Sequence, residues 1–323
     1  MQDKPTLCFE YKDRLIPLNE VGKASDETIS EFNTLIERLN LKYSFAPLFH
    51  LSENEWDGYP IKLHYKNQVL SLKEFVDENK QLSKDLQLPN SINGLEKKHQ
   101  LQLAQVSFSG NISEEDLAIC IEVSRLFQDV YNTFALARFS LHEGFRKLHL
   151  YSSIPWDSGA FGQYWIRTAY LNNAIIWYNS CFDILLQTLW IAKQYYIGKK
   201  VNNTTLVKED VIQNTDMVLI GCKKIFVLDS CITEFSKRDS REFVKNKANS
   251  LKHRNGLRYK EFKDPNSILF LLKNYNSSST ESSVNIEDVV SNLTSYHKDF
   301  VSLIEEVKAI VSEEFRVKYN VEI

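Results

Sequence analysis

The stretch AIIWYNSCFDILLQTLWIA, residues 174–192, decides the fold: it is long enough either to span a bilayer or to form the buried middle of a helical bundle. Asn179, Asp183 and Gln187 interrupt it. An aspartate at a bilayer centre costs about 3 kcal/mol, which argues against the membrane. Asn179 and Asp183 are four residues apart and share one helical face, so they form a single polar patch in an otherwise apolar surface. A helix that is apolar nearly all round belongs at the centre of a bundle. The reading is therefore a buried core helix, extending from about residue 163 to 197.

Outward from this helix the same logic recurs. On its N-terminal side, SSIPWDSG (residues 152–159) contains Pro155 and Gly159, which end any preceding helix. Before that break, Ser113 followed by Asp116 is a capping-box-like start. Ile119, Val123, Leu126, Phe127, Val130, Phe134 and Leu141 then mark one face of a long amphipathic helix. On the C-terminal side, a helix is expected between Lys208 and Phe235, although the β-branched run Val218 to Leu228 reads equally as a strand. Another starts at Asp239 or Ser240 and ends before Asn255-Gly256, a pair suited to a left-handed cap. A last helix carries Ile286, Val289, Leu293, His297, Phe300, Ile304, Val307 and Val311 at helical spacing.

The first hundred residues differ. Residues 6–11 and 15–18 are short strands around the polar break Lys12, Asp13, Arg14, and Ser25 caps a following helix. IKLHY and QVLSL, separated by Lys66-Asn67, form a second hairpin leading into another helix. Residues 87–98, QLPNSINGLEKK, are the best linker in the chain, and His99 to Ser107 alternates as one more strand. The expected fold class is thus mostly α, a bundle of long helices at 99–323 with a small α+β region at 1–98. Ten glycines and seven prolines in 323 residues supply too few turn signals for a many-stranded sandwich.

Composition narrows the function classes. The overall formal charge is slightly negative, −3. Five scattered cysteines without a CxxC pair support neither a disulfide framework nor a zinc site, and fit a reducing cytoplasm. The N-terminus shows no signal-peptide pattern. Histidine spacing offers no metal motif, and phosphate-binding glycine loops and nucleophile elbows are lacking, so no metal or cofactor is expected.

One segment departs from this average. KRDSREFVKNKANSLKHRNGLRYKEFK, residues 237–263, gathers ten lysines and arginines around His253 against three acidic residues. Clustered cations of this kind attract phosphate largely regardless of sequence, which makes RNA the expected ligand. Arg241, Lys245, Lys252, Arg254 and Arg258 are the expected phosphate contacts. At a helix C-terminus the macrodipole favours the His253 imidazolium while neighbouring cations oppose it, which suits proton transfer near neutral pH. Asp183 reads either as an orienter of an Arg or His on this basic helix or as a solvent-facing carboxylate. The charged run reads equally as a solvated helix face.

The helix order from residue 113 onward, together with Asn249 and His253, resembles the HEPN superfamily, helical bundles that include prokaryotic defence and toxin ribonucleases. Their motif is an Arg, often followed by Asn, with a His four to six positions beyond the Arg. Here Ala248 occupies the Arg position, and Lys247 precedes it with five residues before His253. Lysine is a point charge and does not reproduce a guanidinium fork. The resemblance implies a metal-independent ribonuclease, acting as a homodimer alongside an antitoxin or defence partner. In it His253 assists proton transfer, Lys247 stabilises phosphorane charge, Asn249 orients them and Asp183 supplies the facing acid. The alternative is a degenerate HEPN-like module that binds nucleic acid or a partner protein without cleavage, and Ala248 is its main support. A third reading is a structural interaction protein.

Overall fold

Three serine caps set the starts of helices, as the short polar side chains before them require. In the computed structural model Thr28 N donates to Ser25 Oγ (3.4 Å) at the start of α1 (Asp26–Tyr43). Ser71 and Glu74 exchange bonds at α2 (Leu72–Asp85), with Ser71 N to Glu74 Oε2 at 2.7 Å and Glu74 N to Ser71 Oγ at 3.2 Å. Asp116 N donates to Ser113 Oγ (3.2 Å) at α3 (Glu114–Phe145). The structure describes residues 6–43, 61–65, 68–89, 107–108, 113–147, 149, 160–194, 200–201, 204–205, 230–253, 257–262, 283–319 and 321–322. It is mostly α with a small N-terminal sheet, as the sequence patterns require.

The chain divides into two compact units, residues 1–85 with 144–169 and residues 86–143 with 170–323. In the first, β1 (Thr6–Tyr11), β2 (Arg14–Pro17), β3 (Ile61–Tyr65) and β4 (Gln68–Ser71) form an antiparallel sheet in the order β2-β1-β3-β4. Tyr11 pairs with Arg14, leaving Lys12 and Asp13 as a two-residue turn with φ of 48° and 62°. Positive φ at both positions matches the twist of a hairpin but normally calls for Asn-Gly. Here the Lys12 ammonium also bridges to Glu27 of α1 at 3.0 Å. Phe9 is buried and packs edge-on against Phe32 at 5.4 Å, joining sheet to helix. The second hairpin pairs Tyr65 with Gln68, and its turn, Lys66-Asn67, lies outside the described residues.

The inclusion of residues 144–169 in this unit is not legible from local pattern. Lys147 forms an ion pair with Glu78 of α2 at 2.7 Å. Arg167, fully buried, donates through Nε to the Gly144 carbonyl (3.1 Å) and through NH2 to the Phe145 carbonyl (3.3 Å). These are orphan carbonyls at the end of α3, where a cation also meets the negative end of the helix dipole.

The second unit contains the rest of α3, the rest of α4 (Ala160–Ala192), α5 (Ser230–Ser236), α6 (Asp239–His253) and α7 (Ile286–Tyr319). The stretch 174–192 is a core helix: Ala174, Ile175, Tyr178, Cys181, Phe182, Leu185, Leu189 and Ile191 are fully buried. No helix among the described residues is long and apolar enough to cross a membrane. The helix stops at Ala192, short of 197, because Gln194 turns left-handed (φ 51°) and its N–H closes onto the Ile191 carbonyl at 2.9 Å. Asn285 caps α7 by accepting from Asp288 N at 3.0 Å.

Phe134, Phe182, Phe235, Tyr296 and Phe300 form a ring cluster between these helices, with Tyr296 and Phe300 stacked at 5.4 Å. Ser107–Phe108 pairs with Val321–Glu322, a link between distant residues that no local signal announces. The expected helix or strand at 208–229 and the linker at 90–98 lie outside the described residues.

Candidate nucleic-acid interface

Helix α6 carries the basic segment, and its spacing sorts its side chains into two sets. Ser240, Arg241, Val244 and Ala248 recur at helical spacing and are buried. Lys245, Asn246, Asn249 and Lys252 are exposed, as are Lys237 before the helix and Lys260 after it. Lys245, Lys252, Lys237 and Lys260 make no ion pair among the described residues.

Arg241 therefore does not sit where a phosphate contact requires it. Its guanidinium lies 4.0 Å from the Phe182 ring centroid and donates to Asn179 Oδ1 at 3.0 Å. Asn179 in turn donates to Asp183 Oδ2 at 3.3 Å. One amide thus bridges a buried cation and a half-buried carboxylate, offsetting the desolvation that either charge alone would suffer. Asp183 is half-buried and reaches the basic helix through Asn179. The arginine it meets is Arg241.

Burial pushes the Tyr296 phenol up, with the nearby Arg241 charge partly opposing this. Beside it, Tyr178 OH donates to His297 Nδ1 (2.7 Å), and His297 Nε2 donates to the Gln87 carbonyl (2.7 Å). This pair of bonds defines the neutral tautomer, since only one ring nitrogen carries a proton. Burial lowers the His297 pKa to about 4, with Arg138 and Lys298 adding to the effect and the Gln87 bond opposing it.

The remaining expected site residues scatter. Lys247 is half-buried on the flank of α6, with Nζ 5.9 Å from the Phe243 ring centroid. Asn249 is exposed, about 160° around the helix from Lys247 at 100° per residue. His253 is the last residue of the helix, and Arg254 lies outside the described residues, as does the expected Asn255-Gly256 cap. Arg258 is half-buried in a segment tied to the start of α7 by Val284 N to Arg258 O at 2.9 Å. Lys247 and Asp183 are thus not joined in any described contact, while Asp183, Asn179 and Arg241 are.

Ala248 is fully buried. A guanidinium at this position would have to enter the core. Ser240, expected as a helix cap, instead donates to Asp299 Oδ2 at 2.7 Å, and Arg238 pairs with Asp299 as well. Sequence reasoning missed Arg241 as a core residue, although its spacing from Val244 and Ala248 places it on the apolar stripe. Among the described residues no group of three or more His, Cys, Asp or Glu side chains is placed to hold a metal ion. The four described cysteines are buried, and burial raises the thiols of Cys8, Cys120 (to about 11) and Cys181.

No protein-family model, curated protein or solved structure matches the chain.

Proposed function

We propose that this protein is a HEPN-like module that binds RNA along the solvent face of α6 without cleaving it. The carrying observation is the sorting of α6: its arginine is turned into the core, while Lys245 and Lys252 stand exposed beside the amides of Asn246 and Asn249. Lysines supply sequence-independent phosphate attraction, and amides supply donors and acceptors to bases or ribose. The burial of Ala248 supports binding over cleavage, because the position that carries the catalytic arginine in the resembled family has no solvent access here. The resemblance also supports a cytoplasmic, prokaryotic defence or toxin setting, with two copies acting together and a further defence protein as partner.

The test is titration of a labelled single-stranded RNA over a range of salt. Binding should weaken steeply with salt, and the double variant Lys245→Gln, Lys252→Gln should lower the magnitude of the log–log slope by about 1.4, or ~0.7 for each phosphate no longer neutralised. An unchanged slope would remove α6 from the interface. Incubation of the wild-type protein with RNA in EDTA should leave the RNA intact. Cyclic-phosphate ends that disappear in His253→Ala would replace binding by cleavage.

A further inference from the structure

Two aromatic side chains stand exposed along the line where α3 and α4 meet: Phe139 (55%) on α3 and Trp177 (38%) on α4. Half-exposed Tyr170 of α4 joins them, its ring edge-on to Phe139 at 6.2 Å. Tyr170 and Trp177 are seven residues apart, two helical turns or roughly 10 Å, and leave α4 on the same side. Exposed rings grouped in this way mark a contact site.

The other edge of α4 borders α6. Asn179 accepts from Arg241 of α6 at 3.0 Å, and Asn172 accepts from Tyr259, beyond the end of α6, at 2.9 Å. As the chain advances from 241 to 259 its contacts on α4 retreat from 179 to 172, so α6 runs antiparallel to α4. At 100° per residue, Lys245 and Lys252 lie within about 40° of Arg241, on the edge of α6 next to α4, and both are exposed. They too are seven residues apart. The acids of α6, Asp239 and Glu242, are confined to its first turn, and beyond them the helix carries none. Between the lysines and the rings lies the solvent-facing stripe of α4, with Asn173 exposed and Ile176 and Ser180 half-exposed. Asp183, the acid on this stripe, is joined through Asn179 to Arg241 and so leaves no isolated negative charge.

A row of cations and a row of rings with the same spacing, one helix width apart, fit the two parts of a nucleic-acid strand: phosphates along one, unpaired bases along the other. Rings alone would suit a protein partner equally, and the matching lysine row is what favours a strand. We propose that Trp177 and the Phe139–Tyr170 pair form a base-stacking site: a strand whose phosphates follow Lys245 and Lys252 lays its unpaired bases across α4 and onto these rings. The site presupposes that α6 binds RNA, and it adds α3 and α4 to the surface that does so. Base-paired RNA keeps its bases in its own stack and cannot use the rings, so the site separates unpaired strands from duplexes.

The probes are a labelled oligouridine and an abasic ribose-phosphate strand of the same length and charge, each titrated against the full-length protein over a range of salt. The wild type should bind the oligouridine about 10-fold or more tighter than the abasic strand, with equal salt slopes, because the two differ only in their bases. Trp177→Ala should weaken oligouridine binding by about 5- to 100-fold, the range of one base–aromatic stack, without changing the slope, and Trp177→Phe should keep most of the affinity. The comparison of strands uses the unaltered protein and so does not depend on a variant folding. Steep salt-dependent binding with no preference for the strand that carries bases, or an unchanged affinity in Trp177→Ala, would overturn the stacking site, leaving α6 as an RNA-binding helix and the rings to a protein partner. Absence of salt-dependent binding by the wild type would overturn both.

Discussion

Acidification offers a direct test of the buried polar network, through His297. Its pKa falls from the ordinary 6.5 to about 4 in the fold, chiefly because burial penalises the charged ring. Between those values the unfolded chain binds a proton that the native state does not, so stability rises with pH across this window. The contribution is fully present above 6.5 and is lost progressively as pH falls to about 4. A difference of about 2.5 units at 1.36 kcal/mol per unit amounts to about 3 kcal/mol.

His297→Gln isolates this contribution, because its amide can donate to the Gln87 carbonyl and accept from Tyr178 OH but does not titrate. Urea unfolding of both proteins from pH 7 to pH 4 is the assay. Carboxylates titrate in the same range in both, so the difference between the two stability profiles is the quantity to read. The wild type should lose about 3 kcal/mol relative to the variant over this interval. Parallel profiles would refute the placement of a neutral histidine in this bond pair.

Three further substitutions probe the buried arginines and the position of Ala248. Arg241→Ala should destabilise the protein by about 3 kcal/mol in urea, through loss of ring packing and an unpaired Asn179 carbonyl oxygen, while leaving the salt slope of RNA binding unchanged. A variant that lost slope without losing stability would return Arg241 to the surface. Ala248→Arg, which places an arginine where the resembled motif carries one, should lower stability by more than about 3 kcal/mol and yield no ribonuclease activity, since the position is fully buried. Stable, RNA-cleaving protein would contradict this. Arg167→Leu should cost about 2–4 kcal/mol, read from the unfolding midpoint, by leaving the Gly144 and Phe145 carbonyls without their donor. No loss would mean that these carbonyls find other partners.

Much of the fold is legible residue by residue. Apolar positions at helical spacing, Ser25 and Ser113 before helices, and polar breaks between short strands suffice for the α-rich class and the small N-terminal sheet, because each acts within a few residues of itself. The basic segment is equally visible as charge. Which of its charges reach solvent is not, because Arg241 and Lys245 are the same kind of residue to a charge count. They differ only in what lies across the helix: Phe182 and Asn179 for one, water for the other.

The same division runs through the rest of the site. Asp183 could be recognised as a polar interruption of an apolar helix, but its link through Asn179 to Arg241 comes from residues about 60 positions away packing against α4. The last helix shows His297 as one more member of a stripe, and only the approach of Tyr178 and the Gln87 carbonyl makes that ring neutral. Helix type, caps and charge runs are local quantities and can be read from short windows of the chain. Burial, hydrogen-bond partners and protonation depend on atoms brought together from distant windows, and packing alone assigns them.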